Sequence, residues 1–203
     1  MVAHARMALI SILVIVSGGL GRNIRDIDFG DESFPFDDTR TVPAEWRWIE
    51  VIRASQVKLE KGRHEFGEGD TRGGVGRPAL MLESIAYGDL TGDGLEDAVV
   101  NLRYSTGGTA AWNYVYVFGM EDGELKVVSV LESGSRAAGG LLRVAVDGRD
   151  VVMEFADVSK RVAECCSEGF VRVRYRLDAR GEFVEAGERV RGDVKLSELP
   201  LRK

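Results

Sequence analysis

The chain has 203 residues, 44% hydrophobic and 30% charged, with 27 basic and 33 acidic side chains and a formal net charge of −6. That length builds one domain with a real core. The acidic balance argues against nucleic-acid binding, and two cysteines cannot frame a disulfide miniprotein or a four-thiolate zinc site. With 25 glycines and only 4 prolines, the composition suits a succession of tight turns and therefore β structure.

Residues 1–21 combine a short head carrying Arg6, an apolar run from Met7 to Val16 and the small-residue stretch Ser17, Gly18, Gly19, Leu20 and Gly21. That order is expected of a signal peptide. The run falls well short of the ~20 residues needed to span a bilayer. The expected destination is extracytoplasmic, periplasmic or secreted. No cysteine stands directly after the leader, so anchoring by lipid on an N-terminal cysteine is not expected, nor is a membrane span after cleavage.

Residues 22–42 hold five Asp and one Glu with little periodicity and read as an acidic lead segment or linker. Pro43 opens a stretch in which Trp46, Ile49 and Ile52 fall three apart, which predicts one short helix, although the alternation of Trp46 and Trp48 also suits a strand. Residues 43–190 are then expected to form a single β-rich domain, and 191–203 a polar tail.

Within that domain, Val57 and Leu59 precede a Lys61-Gly62 turn, and the chain returns through His64 and Phe66. A glycine-rich loop spans 67–77. Strands are expected over 80–87, 98–104, 112–120 and 125–131, and in hairpins over 141–146 with 151–156 and 170–177 with 182–185. Trp112, Tyr114, Tyr116 and Phe118 alternate with Val115 and Val117. Both faces are apolar, which predicts a central strand covered on each side. Val171, Val173, Tyr175 and Leu177 alternate with Arg172, Arg174 and Arg176. The arginines read as the polar face of a sheet paired with neighbouring acids; an anion-binding ladder is the alternative. The expected fold is all-β or β-dominated, with antiparallel sheets in a sandwich or partly open barrel.

The most specific string is Asp89-Leu90-Thr91-Gly92-Asp93-Gly94-Leu95-Glu96-Asp97. Calcium takes six to eight oxygens, so a loop that binds it must fold back to aim alternate residues at one point. Asp89, Asp93 and Asp97 would supply carboxylates, Thr91 a weaker hydroxyl and Leu95 its carbonyl, with Gly94 at the sharp turn. Position 12 is Val100 rather than Glu, so the loop is a shortened form that leads into a strand. The competing reading is a polar turn whose aspartates cap backbone N–H groups.

This loop resembles the D-x-[DN]-G-D-G-x-x-D loop of FG-GAP and VCBS-type repeats, with Thr91 as its one departure. Together with the Gly107-Gly108 loop and Cys165-Cys166, the chain over 57–188 resembles an uncharacterised family of exported bacterial proteins, many of which look like lipoproteins. The resemblance implies a bound Ca2+.

Cys165 and Cys166 are adjacent, and export makes a strained vicinal disulfide between them plausible; free thiols and a bond to another chain are the alternatives. His64 is the one histidine beyond the leader, which leaves little for a Ser-His-Asp or Cys-His arrangement. The sequence thus points away from an enzyme and towards a cell-envelope binding or structural module whose partner is an envelope protein or glycan. The rivals are a carbohydrate-active or other hydrolase using acids near the loop, and an anion- or partner-binding module using Arg172, Arg174 and Arg176.

Overall fold

The computed structural model describes residues 22–36, 56–66, 76–108, 110–135, 138–163 and 166–199. Its strands are β1 (Ser33–Phe34), β2 (Val57–Lys58), β3 (Arg63–Glu65), β4 (Ala79–Gly88), β5 (Asp97–Ser105), β6 (Ala111–Glu121), β7 (Glu124–Glu132), β8 (Leu141–Asp147), β9 (Asp150–Ala156), β10 (Arg161–Ala163), β11 (Cys166–Ser167), β12 (Gly169–Leu177), β13 (Phe183–Glu185) and β14 (Val190–Asp193). Short 3-10 turns cover Ile24–Asp26, Val158–Lys160 and Val194–Leu196. The expected β-dominated, antiparallel fold is what forms. No helix among the described residues is long and apolar enough to cross a membrane.

One five-stranded sheet runs β3-β4-β5-β6-β7, and a second runs β13-β12-β9-β8, with β14 also paired to β12. The hairpin joining β6 and β7 turns on Asp122 and Gly123, both at positive φ (52° and 81°). Asp-Gly tolerates this left-handed pair, whose twist matches that of the flanking strands. β6 is covered on both faces, as its alternation requires. Tyr114, Tyr116 and Phe118 join one core, while Val115 and Val117 join the other. The second core lies between the two sheets, where Val99, Val115 and Val117 pack with Leu141, Val144, Val151 and Met153.

The first core corrects the expectation for residues 22–42. Residues 22–36 are no solvated lead segment: Ile24, Ile27, Phe29, Phe34 and Phe36 are all buried. Phe34 lies 5.4 Å from Tyr116 and 5.6 Å from Phe118 between ring centroids, and Phe36 lies 5.2 Å from Tyr114. The Tyr116 hydroxyl donates to the Pro35 carbonyl at 2.7 Å, and burial raises the phenol's pKa. Burying each phenylalanine contributes on the order of 1.5–3 kcal/mol, which helps to hold a strap that pairs with β2 over two residues and accepts the N–H groups of Leu59 and Gly62 at the Glu32 and Gly30 carbonyls. The acids between these residues face outward, which is why composition alone reads as a linker. The helix expected after Pro43, the rest of the linker and most of the 67–77 loop lie outside the described residues, as does the leader.

The polar tail is likewise corrected. Val190–Asp193 adds to β12 as an edge strand, with Val190 opposite Arg172 and Asp193 opposite Gly169. Its Arg191 donates to Asp157 at 2.7 Å. Asp157 also accepts from the Ser159 hydroxyl at 2.6 Å. The Ser159 hydroxyl first, and Arg191 second, draw the Asp157 carboxyl down to about 2. A folded-state pKa below the ordinary 3.8 contributes stability above that value and loses it as pH falls towards 2. In acid titrations of thermal stability, the advantage of the native protein over an Asp157→Asn variant should therefore shrink over this interval. A constant gap would contradict the assignment.

Candidate functional site

The loop 89–96 joins β4 to β5 at one end of the first sheet. Asp97, the first residue of β5, is 1% exposed. Its Oδ2 accepts the N–H groups of Leu90 and Thr91, both at 2.8 Å, so a strand residue anchors the loop that precedes it. Burial raises the pKa of Asp97, opposed by those two N–H donors. Asp89 accepts from Gly92 N at 2.6 Å and Gly94 N at 3.2 Å, and Asp93 accepts from Leu95 N at 2.8 Å. Leu95 is 56% exposed, and since its side chain is apolar only its backbone suits a polar role. The Thr91 hydroxyl is buried and forms no well-aligned hydrogen bond, although it bears on the Asp97 carboxyl.

The structure thus places Asp89, Thr91, Asp93, Leu95 and Asp97 in one compact loop, with the aspartates capping backbone N–H groups. Among the described residues, no three His, Cys, Asp or Glu side chains are gathered as a group able to hold a metal ion. Two guanidinium groups that sequence reasoning missed reach the loop from distant segments. Arg25, from the N-terminal 3-10 turn, stacks over the Tyr87 ring at 4.4 Å and bonds Glu96 through two contacts, at 2.6 and 2.8 Å. Arg149, from the turn between β8 and β9, donates to the Thr91 carbonyl at 2.8 Å. Neither contact has a local sequence signal, since the partners stand 71 and 58 residues apart.

Comparison with known proteins adds no relative. The chain matches no family model, no curated protein and no solved structure.

Arg172 bonds Glu154 at 2.7 and 3.0 Å, Arg174 bonds Asp147 at 2.5 Å and Arg176 bonds Asp150 at 2.7 Å. The ladder is thus engaged with acids of the adjacent strand and turn. Glu154 also accepts from Arg143 at 2.8 Å and from the Ser197 hydroxyl, while Arg143 reaches the Val194 carbonyl at 3.2 Å. These contacts tie the last described segment across the second sheet. The His64 ring bonds the Lys58 carbonyl at 2.9 Å and stands edge-on to Phe66, which is a structural role. The Ser105–Ala111 segment closes the hairpin between β5 and β6. Cys166 opens β11 and is disulfide-bonded; Cys165, the other half of the expected pair, lies outside the described residues.

Proposed function

We propose that this protein is an exported binding or structural module of the cell envelope in which the 89–97 loop takes a calcium ion that braces it. The observation that carries the reading is the base of the loop. There a buried carboxylate, Asp97, stands beside a buried Thr91 hydroxyl with no well-aligned hydrogen bond. Both are hard oxygen donors, and the flanking Asp89 and Asp93 make the set entirely oxygen, which suits calcium rather than a softer metal. Desolvation disfavours the charged Asp97, and a divalent cation would offset that cost. The aspartates that cap N–H groups would turn part of their lone pairs inward, so binding includes a local rearrangement. Export follows from the leader, and the partner class of an envelope protein or glycan follows from that destination.

The test is thermal melting of the purified protein in calcium and in chelator. At calcium one hundred times Kd the expected stabilisation is about 2.7 kcal/mol. For a domain of this size that raises Tm by about 5–10 °C. Asp93→Ala should abolish the difference. An unchanged melt at millimolar calcium would remove the cation from the account. Hydrolysis of a glycan panel that is lost on Asp89 or Asp93 substitution under saturating calcium would favour the hydrolase instead.

A further inference from the structure

We infer that the outer face of the second sheet holds a binding site for a uronate, an acidic sugar that carries a carboxylate and hydroxyls, and that residues 194–199 of the chain itself occupy it. The site is separate from the 89–97 loop and does not depend on calcium.

Three adjacent strands lay a row of charge across that face. Arg172 on β12 stands opposite Glu154 on β9, and Glu154 stands opposite Arg143 on β8. Two guanidinium groups thus share one carboxylate, which leaves the row one positive charge in excess. Glu154 is 0% and Arg143 4% exposed, although charged side chains on a sheet are ordinarily left in water. The segment after β14 contributes to their cover, passing from the β12 edge towards β9 and β8. The Val194 carbonyl accepts from Arg143 Nη2 at 3.2 Å, and the Ser197 hydroxyl stands 2.7 Å from both oxygens of Glu154.

Two observations make this cover a stand-in for a ligand. The 3-10 turn Val194–Leu196 buries no residue, and Leu196 is 79% exposed. A segment held by polar contacts without an apolar anchor opens at far lower free energy than the whole domain unfolds, and the ladder of β14 with β12 confines that opening to 194–199. The second observation is Arg143 Nε, which is buried and has no hydrogen-bond partner among the described residues. Arginine offers its N–H groups as a planar fork that matches the two oxygens of a carboxylate, yet here one neutral carbonyl takes Nη2 and Nε is left unsatisfied, which is costly in a buried donor. A ligand carboxylate on Nε and Nη2 would satisfy both and neutralise the excess charge, while a ligand hydroxyl replaces that of Ser197 on Glu154. A uronate carries both groups on one ring. A neutral sugar lacks the carboxylate, and a simple carboxylate lacks the hydroxyl.

The test is calorimetric titration of D-glucuronate, D-glucose and acetate into the native protein, Ser197→Ala and Ser197→Thr, each shown to be folded by its melt, with hydrogen exchange followed across residues 194–199. Ala removes the hydroxyl that occupies Glu154, whereas Thr keeps it. The expected result is a glucuronate Kd about tenfold lower for Ser197→Ala than for the native protein, with Ser197→Thr within about twofold of the native value and no measurable binding of glucose or acetate at the same concentrations. Glucuronate should also speed exchange across 194–199 in the native protein. No glucuronate binding by folded Ser197→Ala, equal Kd in Ser197→Ala and the native protein, or binding that leaves exchange across 194–199 unchanged overturns the inference. All titrations are run in chelator, so its failure leaves the calcium reading standing.

Discussion

Replacing Glu154 by Ala is expected to destabilise the protein by about 3–5 kcal/mol. Glu154 is fully buried, and its carboxylate gathers Arg143, Arg172 and Ser197. Arg143 is itself only 4% exposed, so removing the glutamate leaves a buried guanidinium without its counter-charge. A missing buried partner costs more than the intact pair contributes, because the survivor keeps its full desolvation penalty. Arg172 is more exposed, and water recovers part of its charge, so Arg172→Ala should cost distinctly less. Urea melts of the two variants measure the difference. Equal and small losses, below about 1 kcal/mol each, would show that the network does not hold the second sheet.

The second large effect separates the anchoring role of Asp97 from its charge. Asp97→Ala leaves the N–H groups of Leu90 and Thr91 without their acceptor at the base of the loop. It is expected to cost about 2–4 kcal/mol, since each unsatisfied buried donor costs about 1–3 kcal/mol. Asp97→Asn should behave quite differently. Both N–H groups converge on a single oxygen, Oδ2, and an amide supplies one oxygen with two lone pairs. The substitution also removes a charge that burial disfavours. In chelator at neutral pH, Asp97→Asn should therefore melt within about 1 kcal/mol of the native protein. In calcium it should fall behind, because the carboxylate proposed to face the ion is gone. Equal destabilisation by Ala and Asn in chelator would contradict the anchoring geometry.

Much of the architecture was legible from local pattern. The two apolar faces of residues 112–120 required cover on both sides, and β6 has it. Lys61-Gly62 marked a turn, and both residues have positive φ. The arginines of 172–176 were read as a polar face answered by acids, and Glu154, Asp147 and Asp150 answer them. The strap 22–36 escaped for a physical reason. Its five buried apolar residues follow neither a helical nor a strand period, because a 3-10 turn, a bend and a two-residue strand place them by turns. Acids fill the gaps between them, so composition averages to that of a linker. β14 was hidden differently: three of its four residues are exposed, and an edge strand with little burial carries no alternation to read.

At the site, the loop and its aspartates were visible in the spacing alone. The cations that grip it were not, because Arg25 and Arg149 reach it only through the fold. The burial of Asp97 was not legible, because its spacing marks it as a loop ligand and only the strand that it opens carries it into the interior. What that spacing left undecided was whether the carboxylates face an ion or the backbone. The structure describes a loop whose aspartates cap N–H groups, and the calcium proposal requires that loop to open a set of oxygens inward.

Calcium stoichiometry tests that proposal most directly. Titration of the chelator-treated protein with calcium, followed by heat and by equilibrium dialysis, should give one ion per chain, with no saturable uptake by Asp93→Ala and much weaker uptake of magnesium, whose octahedral demands a shortened loop meets poorly. Absence of saturable calcium uptake by the folded native protein would contradict the account.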